Sequence, residues 1–187
     1  IGFTSTAAYQ VLPKLLAGCH TSRPDLALSL KEDLSINLIN MLADEKIDIA
    51  LLRRPAGTNH DSLVFKRVSQ ESMCVAMPNL HPFARQEHIE PQQLHGVPFI
   101  GFNADAALYF RERIESVFAH FQIQPDIVHE SVMPTLLALV EAGIGLALVP
   151  ESAMGLRRQG VCFRALHDKE NNAAIALYSA KPRHETN

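Results

Sequence analysis

Apolar residues in the first fifty positions change their spacing several times, and each change marks an element. Residues 1 to 4, Ile1-Gly2-Phe3-Thr4, read as a short buried strand. Thr4, Ser5 and Thr6 follow as N-cap candidates for a helix from about Ala7 to Cys19, whose Ala8, Val11, Leu12, Leu15 and Leu16 recur at helical spacing. Pro24-Asp25 breaks that pattern, and Leu26, Leu28 and Leu30 then alternate with small or polar residues, which predicts a strand. Asp33 or Ser35 caps the next helix, with Leu38, Ile39 and Leu42 as its core face, and Ile47 to Leu52 is an apolar run suited to a strand buried on both sides. This order predicts a parallel sheet with right-handed crossovers.

After a loop with Pro55 and Gly57, Leu63 to Val68 and Ser72 to Met77 read as strands. Residues 78 to 98 carry Pro78, Pro82, Pro91, Gly96 and Pro98 and predict a connector into a second unit. That unit repeats the logic of the first: strand Phe99 to Phe102, helix Asp105 to Phe121, strand Asp126 to His129, helix Val132 to Ala142 ending at Gly143 in the C′ position, and strand Ile144 to Val149. Val161 to Leu166 and Ala174 to Ser179 predict two further strands around a polar turn at Asp168 to Asn172.

Composition narrows the function classes. The 187 residues are 47% hydrophobic and 20% charged, enough to build a packed core, and the formal net charge of -3 leaves no cationic excess for a phosphate backbone. The odd, scattered Cys19, Cys74 and Cys162 argue against a disulfide framework and fit a reducing compartment, and no apolar stretch is long enough for a membrane span. A cytoplasmic location is expected.

Two consecutive α/β units predict a ligand cleft beyond the carboxyl ends of the strands, where helix N-termini present free N–H groups. The polar junctions Thr4 to Thr6, Ser35, Asn103 with Asp105, and Ser131 supply donors, and Arg53 past the third strand adds a positive charge, so a carboxylate is the favoured ligand. Phe110 shares a helical stripe with Ile114, Val117, Phe118 and Phe121 that reads equally as core. The predicted effector-binding set is Ser5, Thr6, Ser35, Arg53, Asn103, Tyr109, Phe110 and Val132. His81, His88 and His95 are evenly spaced, but Pro82 and Pro91 prevent one helix from aligning them, so no metal site and no cofactor are expected. HExxH, GxSxG and CxxC are absent, Gly143-Ile144-Gly145 lacks a dinucleotide fingerprint, and Glu32 and Glu130 are isolated acids, so no catalytic residues are assigned and the chain is not expected to be an enzyme.

Longer motifs carry a resemblance. His81-Pro82-Phe83-Ala84, Ile89-Glu90-Pro91-Gln92-Gln93-Leu94 and Val97-Pro98-Phe99-Ile100 resemble the inter-lobe connector of LysR-type transcriptional regulators. Leu139-Val140-Glu141-Ala142-Gly143-Ile144-Gly145-Leu146-Ala147-Leu148-Val149-Pro150 resembles the helix-glycine-strand segment of that family, and Ile1-Gly2-Phe3-Thr4 and Ile47-Asp48-Ile49-Ala50 extend the similarity over essentially the whole chain. The resemblance implies a type 2 periplasmic-binding-protein-like fold of two Rossmann-like lobes, residues 1–70 plus 173–187 and residues 71–172, with a small inducer between them. It implies that Thr6, Ser35 and Arg53 contact effector, and that Tyr109 and Phe110 line the cleft. It further implies a homodimer, a tetramer at full length, DNA binding only through an N-terminal helix-turn-helix outside this sequence, and a final helix after Pro182. The competing reading is an extracytoplasmic solute-binding protein of the same fold.

Overall fold

The computed structural model describes residues 1–55, 61–156 and 159–183. Gly57 of the expected loop lies outside the described residues, as does most of the segment after Pro182. The chain divides into two compact units, Ile1–Gln70 with Ala176–Asn187, and Glu71–Ile175.

The first unit is built on a five-stranded sheet. Its strands are β1 (Gly2–Phe3), β2 (Lys31–Glu32), β3 (Ala50–Leu52), β4 (Leu63–Glu71) and β11 (Ile175–Pro182), in the order β2-β1-β3-β11-β4. β1 pairs in parallel with both β2 and β3, and β11 runs antiparallel to β3. The helices α1 (Val11–Ser22) and α2 (Ser35–Ala43) cover opposite faces of the sheet. The two-residue period of β3 makes this possible. Ala50 and Leu52 join Leu38, Ile39 and Leu42 of α2, whereas Leu51 joins Leu12 of α1, with Phe3, Ala7 and Leu177.

Several expected boundaries move. Ser5–Tyr9 is a 3₁₀ segment, and the α-helix starts at Val11 and runs to Ser22, with Pro13 tolerated in its first turn, where its missing N–H costs nothing. Leu26, Leu28 and Leu30 form no strand and stay exposed; the pairing begins at Lys31, on the sheet edge, where no opposing layer rewards an apolar alternation. Of Ile47 to Leu52 only the last three residues are strand, since Asp48 is exposed while Ile47 is buried beside α2. Neither Asp33 nor Ser35 caps α2 through its side chain: Leu34 holds the N-cap position, and the Asp33 carboxylate accepts from Leu34 N and from Asn37 Nδ2 at 2.9 and 2.7 Å.

The second unit contains the four-stranded arrangement β6-β10-β5-β9, formed by β5 (Met73–Pro78), β6 (His88–Ile89), β9 (Ala147–Pro150) and β10 (Val161–Leu166). A parallel pair, β7 (Pro98–Phe102) and β8 (Asp126–Ser131), joins it through a parallel bridge from Phe99 to Leu146. Ile100 N donates to Leu146 O at 2.7 Å and Leu146 N to Pro98 O at 2.9 Å. The central β5 is buried from Met73 to Met77. α3 (Ala104–Phe121) buries Phe110, Ile114 and Val117, and α4 (Met133–Glu141) buries Met133, Leu136, Leu137 and Val140. α4 ends as expected, with Gly143 at φ 77° and its N–H donating to Val140 O.

Residues 78 to 98 are no linker. They form two 3₁₀ turns and β6, and they belong to the second unit's own sheet; the prolines sit at the first helical position of the turns, Pro82 and Pro91, where a fixed φ favours a turn start. The chain instead passes from one unit to the other at Gln70/Glu71 and Ile175/Ala176.

Candidate functional site

In the first unit the carboxyl ends of β2, β1 and β3 lie side by side, because all three strands are parallel and adjacent. Chain topology therefore brings the Thr4 to Thr6 junction, the Asp33 to Ser35 junction and Arg53 to one edge of one sheet. Backbone bonds fix the edge: Thr4 N donates to Leu51 O at 3.0 Å and Asp33 N to Phe3 O at 3.1 Å. Thr6 is 5% exposed and Arg53 2%. Ser5 points outward, and Ser35 is half-buried.

The hydroxyls of Thr4 and Thr6 are buried and have no hydrogen-bond partner among the described residues. Buried hydroxyls are ordinarily satisfied, and leaving one unpaired costs about 1–3 kcal/mol. Neither threonine serves as a side-chain helix cap. Close by in the same unit, burial and then the Glu32 charge push the Tyr9 phenol above its ordinary range, which keeps it neutral and a hydrogen-bond donor.

In the second unit, β7 and β8 end together at Asn103 and Val132. Asn103 is a true cap: its Oδ1 accepts from Asp105 N at 2.9 Å and from Ala106 N at 3.3 Å. This bond occupies the amide oxygen and leaves the Nδ2 side to any ligand role. Ser131 does not cap α4, since Val132 holds that place without a side-chain bond, and Val132 is exposed. Phe110 is 7% exposed and stacks on Phe102 with ring centroids 5.1 Å apart, so the core role weighed for it is realised. Tyr109 meets Phe110 edge to face at 5.4 Å and remains half-buried.

Sequence reasoning missed a groove of about 500 Å³ within the second unit, lined by Phe99, Phe102, Ile114, Phe118 and Ile127 with Arg111 and Glu130 among its polar groups. Its walls come from one face of α3 and from β7 and β8, a pairing that spacing along the chain does not reveal. Glu130 is engaged there in an ion pair with Arg111 at 2.9 Å. Cys74 is buried and Cys19 and Cys162 are half-buried; burial pushes the thiols of Cys74 and Cys162 up, which disfavours the reactive thiolate. No helix among the described residues is long and apolar enough to cross a membrane.

Comparison with known proteins places this architecture. The solved BenM effector-binding domain with its effector benzoate matches with a TM-score of 0.88 at 20% identity, over 100% of this chain and 83% of that one. Full-length CbnR complexed with its target DNA matches at 0.87 and 20%, over 98% and 64%. The fold is the type 2 periplasmic-binding-protein-like α/β fold of those domains. The HTH-type transcriptional regulator TtuA of Agrobacterium vitis is 32% identical over 164 residues, 87% of this chain and 54% of its own. The regulator AlsR of Bacillus subtilis (strain 168) is 29% identical over 186 residues, 98% and 61% respectively. The chain thus spans 54% and 61% of the length of these two relatives. Since the model of the LysR substrate binding domain matches residues 1–187 throughout, the chain belongs to the LysR substrate-binding domain family.

Proposed function

We propose that this chain is the effector-sensing part of a cytoplasmic transcriptional regulator, and that its effector is a small carboxylate. The two buried, unpartnered hydroxyls of Thr4 and Thr6 at the edge that also carries Arg53 and Ser35 are the observation that supports the site. A guanidinium stays charged at any physiological pH and matches a carboxylate in geometry, while hydroxyls and backbone N–H groups complete its shell. Ser5 joins this set. Regulation follows if the ligand prefers one conformation of the protein, a coupling of about 1–3 kcal/mol in typical cases. DNA is reached through a helix-turn-helix segment outside this sequence. The matched relatives are named transcriptional regulators, which disfavours the solute-binding alternative.

The test is a thermal-shift titration with benzoate and a panel of aliphatic mono- and dicarboxylates. At least one should raise the melting temperature, and the double variant Arg53→Ala, Ser35→Ala should weaken it by about 10- to 100-fold, the worth of a charge-assisted hydrogen bond. Affinity unchanged in the double variant, or stabilisation only by uncharged analogues, rejects the site and the carboxylate class.

Self-association belongs to the same reading. Leu26, Leu28 and Leu30 are 47%, 36% and 45% exposed next to the edge strand β2, an apolar row that a second copy would cover. Leu28→Glu is expected to convert a dimer of this chain to monomer in sedimentation velocity; an unaltered dimer places the contact elsewhere.

A further inference from the structure

The evenly spaced histidines separate in the fold, and one of them gains partners that no spacing rule would pair with it. His81 opens a 3₁₀ turn, its Nδ1 accepting from Phe83 N at 3.2 Å, and His95 Nδ1 accepts from Gln124 N at 3.3 Å. His88 stands on β6, which runs parallel to the end of β10, with Ala165 opposite His88 and Leu166 opposite Ile89. The next residue of that segment, His167, is held to β6 by its N–H, which donates to Ile89 O at 2.8 Å. Register therefore gathers His88, Glu90 and His167, and one ligand atom from each lies within 4.8 Å of the others.

We propose that His88, Glu90 and His167 form a binding site for a borderline divalent transition cation of the Zn²⁺ class. Glu90 Oε1 is 2.5 Å from His167 Nδ1 and 3.4 Å from His88 Nε2, and the two imidazoles sit 4.6 Å apart. Ligands of a tetrahedral zinc at about 2.0–2.1 Å are separated from one another by about 3.4 Å, so side-chain rotations alone convert the cluster into three ligands around one ion. Two imidazoles with one carboxylate suit zinc, copper, nickel or cobalt and not calcium or magnesium, which take oxygen shells. Half-exposure leaves the remaining position to water.

The backbone beneath the cluster is fixed. Glu90 N donates to Gln93 Oε1 at 2.9 Å, Gln93 N donates to Glu90 O at 2.9 Å, and Pro91 sets the start of the turn between them. A hydrogen bond from His167, followed by burial acting the other way and the charges of His167 and His88, holds the Glu90 carboxyl below the usual carboxylate range. A bound ion would tie β6 to the end of β10 inside the second unit. This inference stands apart from the effector reading, since it shares no residue with that site.

The test is calorimetric titration of the tag-free, chelator-treated chain with Zn²⁺, repeated on His88→Ala, Glu90→Gln and the double variant His88→Ala, His167→Ala. One equivalent should bind with micromolar affinity and raise the melting temperature, with at least a tenfold loss in each single variant and no comparable response to Mg²⁺ or Ca²⁺. Imidazole resonances of His88 and His167 should shift together on addition of Zn²⁺. Because His88 and Glu90 are exposed, their variants fold, and they keep the test decisive if the His167 variant does not. Absence of saturable binding, or the same affinity in the double variant, overturns the proposal.

Discussion

Leu38→Ala is expected to remove about 3 kcal/mol of stability, the usual cost of a large-to-small change at a site that cannot collapse. Leu38 is fully buried on α2 and packs with Ile39, Leu42, Ile47, Ala50, Leu52, Leu63 and Ala180, residues from a helix, a loop and three strands. Gly2 lies against the same side chain, since a Cβ built at Gly2 would come within 2.7 Å of Leu38 Cδ2 and 2.5 Å of Ile47 Cδ1. A cavity at Leu38 would therefore face β1 as well as β3, and rigid strand backbone has little freedom to fill it. Urea denaturation should show a lower midpoint, and hydrogen exchange should place the lost protection in α2 and β3. A loss under about 1 kcal/mol would mean that the cluster relaxes around the gap.

The second large effect is expected at Gly145. A Cβ there would stand 2.8 Å from Pro98 O and 3.1 Å from Phe99 N, so its neighbours are backbone and cannot swing aside. Pro98 O is the acceptor of the Leu146 N–H, one of the two bonds that join β7 to the segment entering β9. Gly145→Ala must lengthen that junction or bend β7, at a cost of about 2–3 kcal/mol by the measure of other overpacked sites. Amide exchange at Ile100 and Leu146 should quicken, while α1 and α2 of the first unit keep their protection. Stability within about 0.5 kcal/mol of the parent would show that β7 moves freely.

Legibility from the sequence followed how local the deciding force was. α3 and α4 lie close to where periodicity predicts them, because a helical stripe is rewarded by burial on one face, whereas β8 forms where expected although it is exposed along nearly its whole length. Leu26 to Leu30 misled because the same alternation can remain uncovered at an edge. Threonine and serine at strand ends read as caps from the sequence, yet of the four junctions Thr4 to Thr6, Ser35, Asn103 and Ser131 it is Asn103 that accepts α-helix N–H groups through its side chain. That failure is informative at Thr4 and Thr6, whose hydroxyls are left for something other than the helix. The prolines of 78 to 98 looked like a linker since turn starts and linkers share composition; only pairing with β10 distinguishes them. His167 was invisible as a partner of His88 because 79 positions of chain separate residues that parallel register sets side by side.

The sheet order β2-β1-β3-β11-β4 places β11, the last strand among the described residues, in an interior slot, with β3 and β4 as its neighbours. During synthesis the ribosome therefore releases β3 and β4 with that slot vacant and must finish all of Glu71–Ile175 before β11 emerges to fill it. Until then the nascent polypeptide carries two open strand borders, templates for pairing with other chains. A premature stop before residue 175 would make that exposure permanent, so loss of β11 threatens solubility as well as the fold of the first unit.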